Sequence, residues 1–401
     1  MGNCLKVEPT SSLRAIETKG LLGIAAELKS SSKTTLTGDE EVCVLDAAEG
    51  ISPRAIRSAS PFKTLTALSQ SQGESKLWTC LHNQLGAIHF NCLSLDETSC
   101  EAERVGKPIL FVDIDGITST SKFVEVCSHP LAIEAAESLF FTVLRQPESS
   151  KENGALRATV RVLDKYGNDV VAEIGGKYLS VERLVSLMIC GLKALRIEIP
   201  TYLLLLEQEE KGKVRCLSDV TVQVVCRQIV FGVSESKVGE VEFGGHDGVL
   251  ATRTGYLGRQ QVVQVTYDST KVSYGSLARL ALHKKLVGVI YYAHNDERIA
   301  AHIEVKRMEG ATDVVQLSGT ILKDLDSKHF LRKTVLRYVP LTDLQATMAN
   351  RFVAMGAFNE ATHLLSPRQG VMMMKTMNSA QGRVLNEAVD VPIEQAWTTV
   401  A

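Results

Sequence analysis

The stretch VVQVTYDSTKVSYGSL, residues 262–277, changes its periodicity part-way along. Extended upstream to QQVVQVTYD, its first half is rich in β-branched and aromatic residues and reads as a strand. Extended downstream to SYGSLARLALHKK, its second half places apolar residues at helical spacing. A strand therefore feeds a helix through a short polar loop. Upstream, VTVQVVCRQIVFG reads as a strand, SESKVGEVEFG as a helix and VLATRTGY as a strand; downstream, LVGVIYYAH, DERIAAHIEVKRM and VVQLSGTIL read as strand, helix and strand. This β/α unit starts near Asp219.

A second unit of the same kind lies before it, from about Trp78 to Leu195. KPILFVDID is a short apolar strand, SKFVEVCSHPLAIEAAESL is helical, and FFTVLRQ, RATVRVLD and DVVAEIGG are strands. SVERLVSLMICGLKAL is a helix with Ser180 as its cap. IPTYLLLLEQEEKGK links the two units as a helix with Pro200 in a tolerated first-turn position. The expected division is a Ser/Thr-rich extension over 1–75, a domain over 76–196, a linker helix over 197–218, a domain over 219–370 and a C-terminal tail over 371–401.

Composition narrows the function. The chain has 401 residues, 45% of them hydrophobic and 22% charged, which suits two folded domains. With 44 basic against 46 acidic residues, no strong field argues for nucleic acid. No apolar stretch approaches the roughly 20 residues that span a bilayer. Nine scattered cysteines without a Cys-x-x-Cys pair suggest neither a disulfide framework nor zinc, so a cytoplasmic location is expected. Gly2 and Cys4 in MGNCLK raise dual lipidation and membrane association as an alternative, although Lys6 stands where the motif takes Ser or Thr. No phosphate-cradling loop and no metal-ligand spacing occur; no cofactor is expected.

The second unit resembles peptide methionine sulfoxide reductase of the A type, from about Arg227 to Gly356. IVFG followed by a helix, GVLATRTGYLG, VVQVTYDSTKVSYGSLARL, SKHFLR and MANRFVAMG follow the order of that family's framework. The family uses a cysteine in a Gly-Cys-Phe-Trp sequence at a helix N-terminus, where dipole and amides favour the thiolate. Counting along the framework places its Cys, Phe and Trp at Glu235, Ser236 and Lys237, and its carboxylate acid at Gln261. The loop carrying the family's oxygen-binding Asp and Tyr is absent, because LALHKKLVGVIYYAH runs almost directly into the next strand.

The first unit resembles a thioredoxin-fold protein over roughly residues 95–195. FVDIDGITSTSKF keeps the strand, Asp113, Gly116 and Lys122, but the two cysteine positions fall on Thr118 and Ser121, and Ala158 stands at the proline position. Hydroxyls cannot replace a thiolate pair in dithiol exchange. Cys127 lies nine residues beyond Thr118, roughly 13 Å of helix rise, and reads as a packed residue.

The resemblances imply an α/β (α+β) chain: a thioredoxin-like domain followed by a methionine sulfoxide reductase A-like, ferredoxin-like domain, both without their catalytic cysteines. The function expected is binding or scaffolding of a protein or peptide partner. The rival is an active peptide-methionine (S)-S-oxide reductase working through Cys226 or Cys216; a third reading is a polar pocket made by Glu235 and Lys237. His246 and Asp247 read as a polar turn, and Met372, Met373, Met374 and Met377 as helix packing or a tail.

Overall fold

The computed structural model describes residues 88, 90–91, 95–114, 126–145, 158–175, 179–217, 226–309, 311–379 and 387–400. Gly2, Cys4, Thr118, Ser121 and the whole 1–75 extension lie outside them. Two mixed sheets with helices on them make an α+β architecture.

The first sheet follows helix α1 (Leu95–Val105) and contains β1 (Ile109–Ile114), β2 (Phe141–Arg145), β3 (Ala158–Leu163) and β4 (Asp169–Gly175) in the order β2-β1-β3-β4. β1 pairs parallel with β2 and antiparallel with β3, and β4 is antiparallel to β3. Asn91 adds a parallel bridge to Val143 on the outer side of β2. β1 reads as an unbroken apolar run because both of its faces are covered. Leu110 and Val112 join the larger core, while Ile109 and Phe111 pack with Ala102 of α1, Val143 and Leu163.

Between β1 and β2, helix α2 (Pro130–Leu139) starts at a proline. The expected helix over 121–139 is not continuous in its described part, because the residue before a proline is pushed out of the α region. His129 accordingly sits at φ −67°, ψ 122°. After β4, α3 (Val181–Ala194) begins where Ser180 Oγ accepts from Arg183 N at 3.2 Å, as the sequence predicts. Gly191 lets α3 lie close on β3: a Cβ there would come within 2.5 Å of Val162 Cγ1.

Helix α4 (Thr201–Leu217) does more than link. Tyr202, Leu203 and Leu206 enter the first sheet's core, and the helix also packs against the second sheet. Glu209, buried, accepts from Leu344 N at 3.0 Å, satisfying an amide at a helix start.

The second sheet contains β5 (Cys226–Val233), β6 (Val249–Leu257), β7 (Gln260–Asp268), β8 (Val287–Tyr292), β9 (Asp313–Gln316) and β10 (Leu322–Lys323), in the order β10-β6-β7-β5-β8-β9. All pairings are antiparallel except β8 with β9. Helices α5 (Ser236–Gly244), α6 (Tyr274–His283) and α7 (Asn295–Arg307) contribute to one core with the alternate residues Ile229, Phe231 and Val233 of β5. Phe231 stacks on Phe243 with ring centroids 4.6 Å apart. The segment VVQLSGTIL, expected as one strand, is two short ones on opposite sheet edges. Gly319, at φ +92°, lies in the turn between them, a conformation that favours glycine.

The chain continues through α8 (His329–Arg332), a 3-10 turn at Val335–Tyr338, α9 (Asp343–Ala354), α10 (Phe358–Thr362), α11 (Pro367–Ser379) and α12 (Ile393–Val400). The span read as a C-terminal tail thus holds most of α11 and all of α12. Met372, Ile393 and Trp397 are buried in the first sheet's core, which explains why these segments are held. Glu134 on α2 fastens the start of α11 by accepting from Ser366 Oγ and Arg368 N. Both sheets belong to one compact unit within Glu74–Ala354 and Asn359–Ala401. Among the described residues no helix is long and apolar enough to cross a membrane.

Candidate functional site

β5 ends in buried Phe231 and Val233, and the chain then surfaces at Ser234 and Glu235 before α5 begins at Ser236. Glu235 is the N-cap residue, extended at φ −138°, ψ 97°, and its side chain makes no capping bond. The amide of Ser236 instead donates at 3.4 Å to Oε1 of Gln261, the second residue of β7. This contact brings together two positions that sequence counting placed in one site. Ser236 is buried, Lys237 half-buried and Glu235 exposed. Glu235 therefore belongs to the rim.

Lys237 faces the segment Asp326–His329. Its Nζ lies 3.0 Å from Asp326 Oδ2 and 3.4 Å from His329 Nε2. His329 Nδ1 in turn lies 2.9 Å from both Asp326 oxygens. Desolvation works to raise the Asp326 carboxyl, but hydrogen bonds from His329 and Lys237 outweigh it and hold the group below its ordinary range. A carboxylate with a depressed value stabilises the fold above its unfolded value and loses that contribution as pH falls through the folded one. We expect Asp326 to titrate below the ordinary aspartate range in a carboxyl-detected NMR experiment, and Lys237→Met to move it upward. An unmoved Asp326 in that variant would show the ion pair to be solvent-screened.

Directly behind this cluster sits a buried ion pair. Lys328 occupies the left-handed region at φ 58°, ψ 42°, and its Nζ lies 3.2 Å from Glu240 Oε1, with the two side chains 5% and 1% exposed. The carboxylate of Glu240 also accepts from Lys328 N and Ser327 Oγ, and the ammonium donates to Thr252 O, Thr252 Oγ1 and Thr347 Oγ1. These bonds anchor the turn that presents Asp326 and His329. The sequence reading singled out neither Asp326 nor the Lys328–Glu240 pair. His329 was read only as part of the SKHFLR helix; its one local signal was that motif.

The chemistry available here follows from the residue types. The helix start offers amide N–H groups, a hydroxyl, an ammonium, an imidazole and carboxylates. It offers no thiol. Cys226, the alternative nucleophile, is the first residue of β5 opposite Asp268 and half-buried. It lies roughly 23 Å along the strand from Val233, so it and the Ser236–Gln261 pair occupy opposite ends of β5. It lines a cavity of about 260 Å³ together with Lys213 and Arg253. Cys127 is buried and burial pushes its thiol far up, away from reactivity. Cys100 and Cys190 are free and exposed, and Cys216 falls in the last turn of α4. His246 and Asp247 form the polar turn after α5, with His246 N bonded to Phe243 O at 3.0 Å. Among the described residues no three His, Cys, Asp or Glu side chains gather as a metal site.

No family model matches the chain, and no curated protein matches it.

Proposed function

We propose that the chain couples a thioredoxin-like domain to a methionine sulfoxide reductase A-like domain, both catalytically degenerate, and works by binding or scaffolding a protein or peptide partner. The observation that carries this reading is the Ser236 N to Gln261 Oε1 contact at the start of α5. The positions assigned to the reductase's cysteine turn and to its acid lie side by side, yet they hold Glu235, Ser236, Lys237 and Gln261. The strand-to-helix order around that contact, and the tightly held SKHFLR segment facing it, support the same kinship. For the first unit, support comes from the order β2-β1-β3-β4, the parallel pairing of β1 with β2, and α3 returning after β4.

A sulfoxide is reduced by attack of a thiolate on sulfur, and neither a carboxylate nor a hydroxyl can take that part. Groups acting as a unit are also strongly non-additive, so a cysteine placed without its acid and substrate cradle regains little. Glu235→Cys is therefore expected to show no methionine sulfoxide reduction above background with dithiothreitol as donor. Robust turnover by this variant would mean that the missing acid and loop matter less than argued. A second reading is an active reductase using Cys226, which lines a cavity where Lys213 and Arg253 are paired with Glu209 and Asp343. It predicts turnover in the native chain that Cys226→Ser abolishes.

A further inference from the structure

His129 stands immediately before α2 and is 5% exposed. Its side chain makes no capping bond, and neither ring nitrogen has a hydrogen-bond partner. Buried polar groups are nearly always bonded, so an imidazole left without partners calls for a reason. It lies where α12 packs against α2: Nε2 is 3.8 Å from Glu394 Oε1 in the first turn of α12, beyond hydrogen-bond length. Helix α12 is short, and its hold on the first sheet's core rests on Ile393 and Trp397.

The charged groups that bear on this imidazole come from the packed helices. From α4 comes Lys213, which Glu209 and Glu210 hold at 3.0 and 2.7 Å. From α12 comes Glu394, half-exposed and so partly screened by water. On α2 itself, Glu134 is turned to Ser366 Oγ and Arg368 N. None of these carboxylates gives His129 an acceptor within hydrogen-bond length. An imidazolium formed here would lose its hydration without gaining a bond, and Lys213 would repel it. Burial, reinforced by Lys213, accordingly lowers the imidazole to about 3.

We propose that His129 makes α12 an acid-releasable cover: while the helix is docked the imidazole is shut off from water, and release lets the ring take up a proton. What acid uncovers is the part of the first sheet's core that Ile393 and Trp397 fill. The sign follows from linkage. A histidine lowered in the docked state adds stability that is present in full above its ordinary value of about 6.5 and drains away as pH falls below it. Between about pH 7.5 and 5.5 the released state therefore gains about tenfold. Burial raises Glu134 and Glu210, so acid opposes any release that wets them, but this pH window lies above the ordinary carboxylate values.

The test is native-state hydrogen exchange of the full chain at the amides of α12, at the two ends of that pH window and corrected for the intrinsic exchange rate. Protection is expected to fall about tenfold at the lower pH in the native chain, and less than about twofold in His129→Phe, whose ring takes no proton. Unchanged protection in the native chain, the same tenfold fall in His129→Phe, or protection in α12 no lower than in β1 overturns the proposal. A second measurement needs no variant. Imidazole NMR of the native chain at the lower pH must show His129 uncharged while α12 stays docked, and a protonated ring beneath a docked α12 overturns the proposal as well.

Discussion

Lys328→Met lowers the unfolding free energy by about 3–5 kcal/mol, the loss expected when one partner of a buried ion pair is removed and the other stays charged. Glu240 is 1% exposed and keeps its bonds from Lys328 N, Ser327 Oγ and Asn350 Nδ2 in such a variant, but no cation remains beside it. Thr252 and Thr347 lose their shared donor at the same time. The double variant Lys328→Met with Glu240→Gln removes the stranded charge and should recover part of the loss, so the two changes are non-additive. Denaturant midpoints for the two single variants and the double one measure this. A loss below about 1 kcal/mol for Lys328→Met would place the pair in the class of exposed ion pairs, against the burial described here.

Trp397→Ala is the other large effect, about 3–5 kcal/mol for truncating a buried tryptophan. Trp397 is 8% exposed, belongs to the core of the first sheet, and carries the Arg368 guanidinium 5.3 Å above its ring. Because α12 is short, its position depends on that anchor together with Ile393 and Ala396 rather than on its own helix propensity. The variant should release α12 before the sheets open. A loss of 3 kcal/mol corresponds to roughly a hundredfold faster exchange at amides 396–400, at about 1.4 kcal/mol per factor of ten. Equal acceleration in β1 and in α12 would mean that the helix and the sheet unfold as one.

Elements that carry their own period were readable from the sequence. QQVVQVTYD, SYGSLARLALHKK and SVERLVSLMICGLKAL correspond to β7, α6 and α3, and the Ser180 cap is a local bond that local residues announce. What failed depends on partners remote in the chain. Lys237 meets Asp326 only because α5 and the turn before α8 are packed side by side, and no spacing rule reaches across that separation. LLLLEQEE was read only as part of a linker helix, with no sign in the sequence of remote partners for its glutamates. Glu209 is buried because the start of α9 supplies an amide for it. The C-terminal residues looked like a tail because three anchors, Ile393, Ala396 and Trp397, are too few to announce a helix, although their spacing places them on one face. VVQLSGTIL was read as one strand because composition alone does not show that Gly319 turns the chain away from β8.

The position counts at the start of α5 were legible only through the framework of the resemblance, and they meet in space at Ser236 and Gln261. The proposal drawn from them, that the chain does not reduce methionine sulfoxide, has one direct measurement. The native full chain is incubated with a methionine sulfoxide peptide and dithiothreitol, and the reduced peptide is quantified by mass spectrometry. The account predicts conversion no faster than the protein-free control. Conversion well above that control, lost in Cys226→Ser, would contradict it.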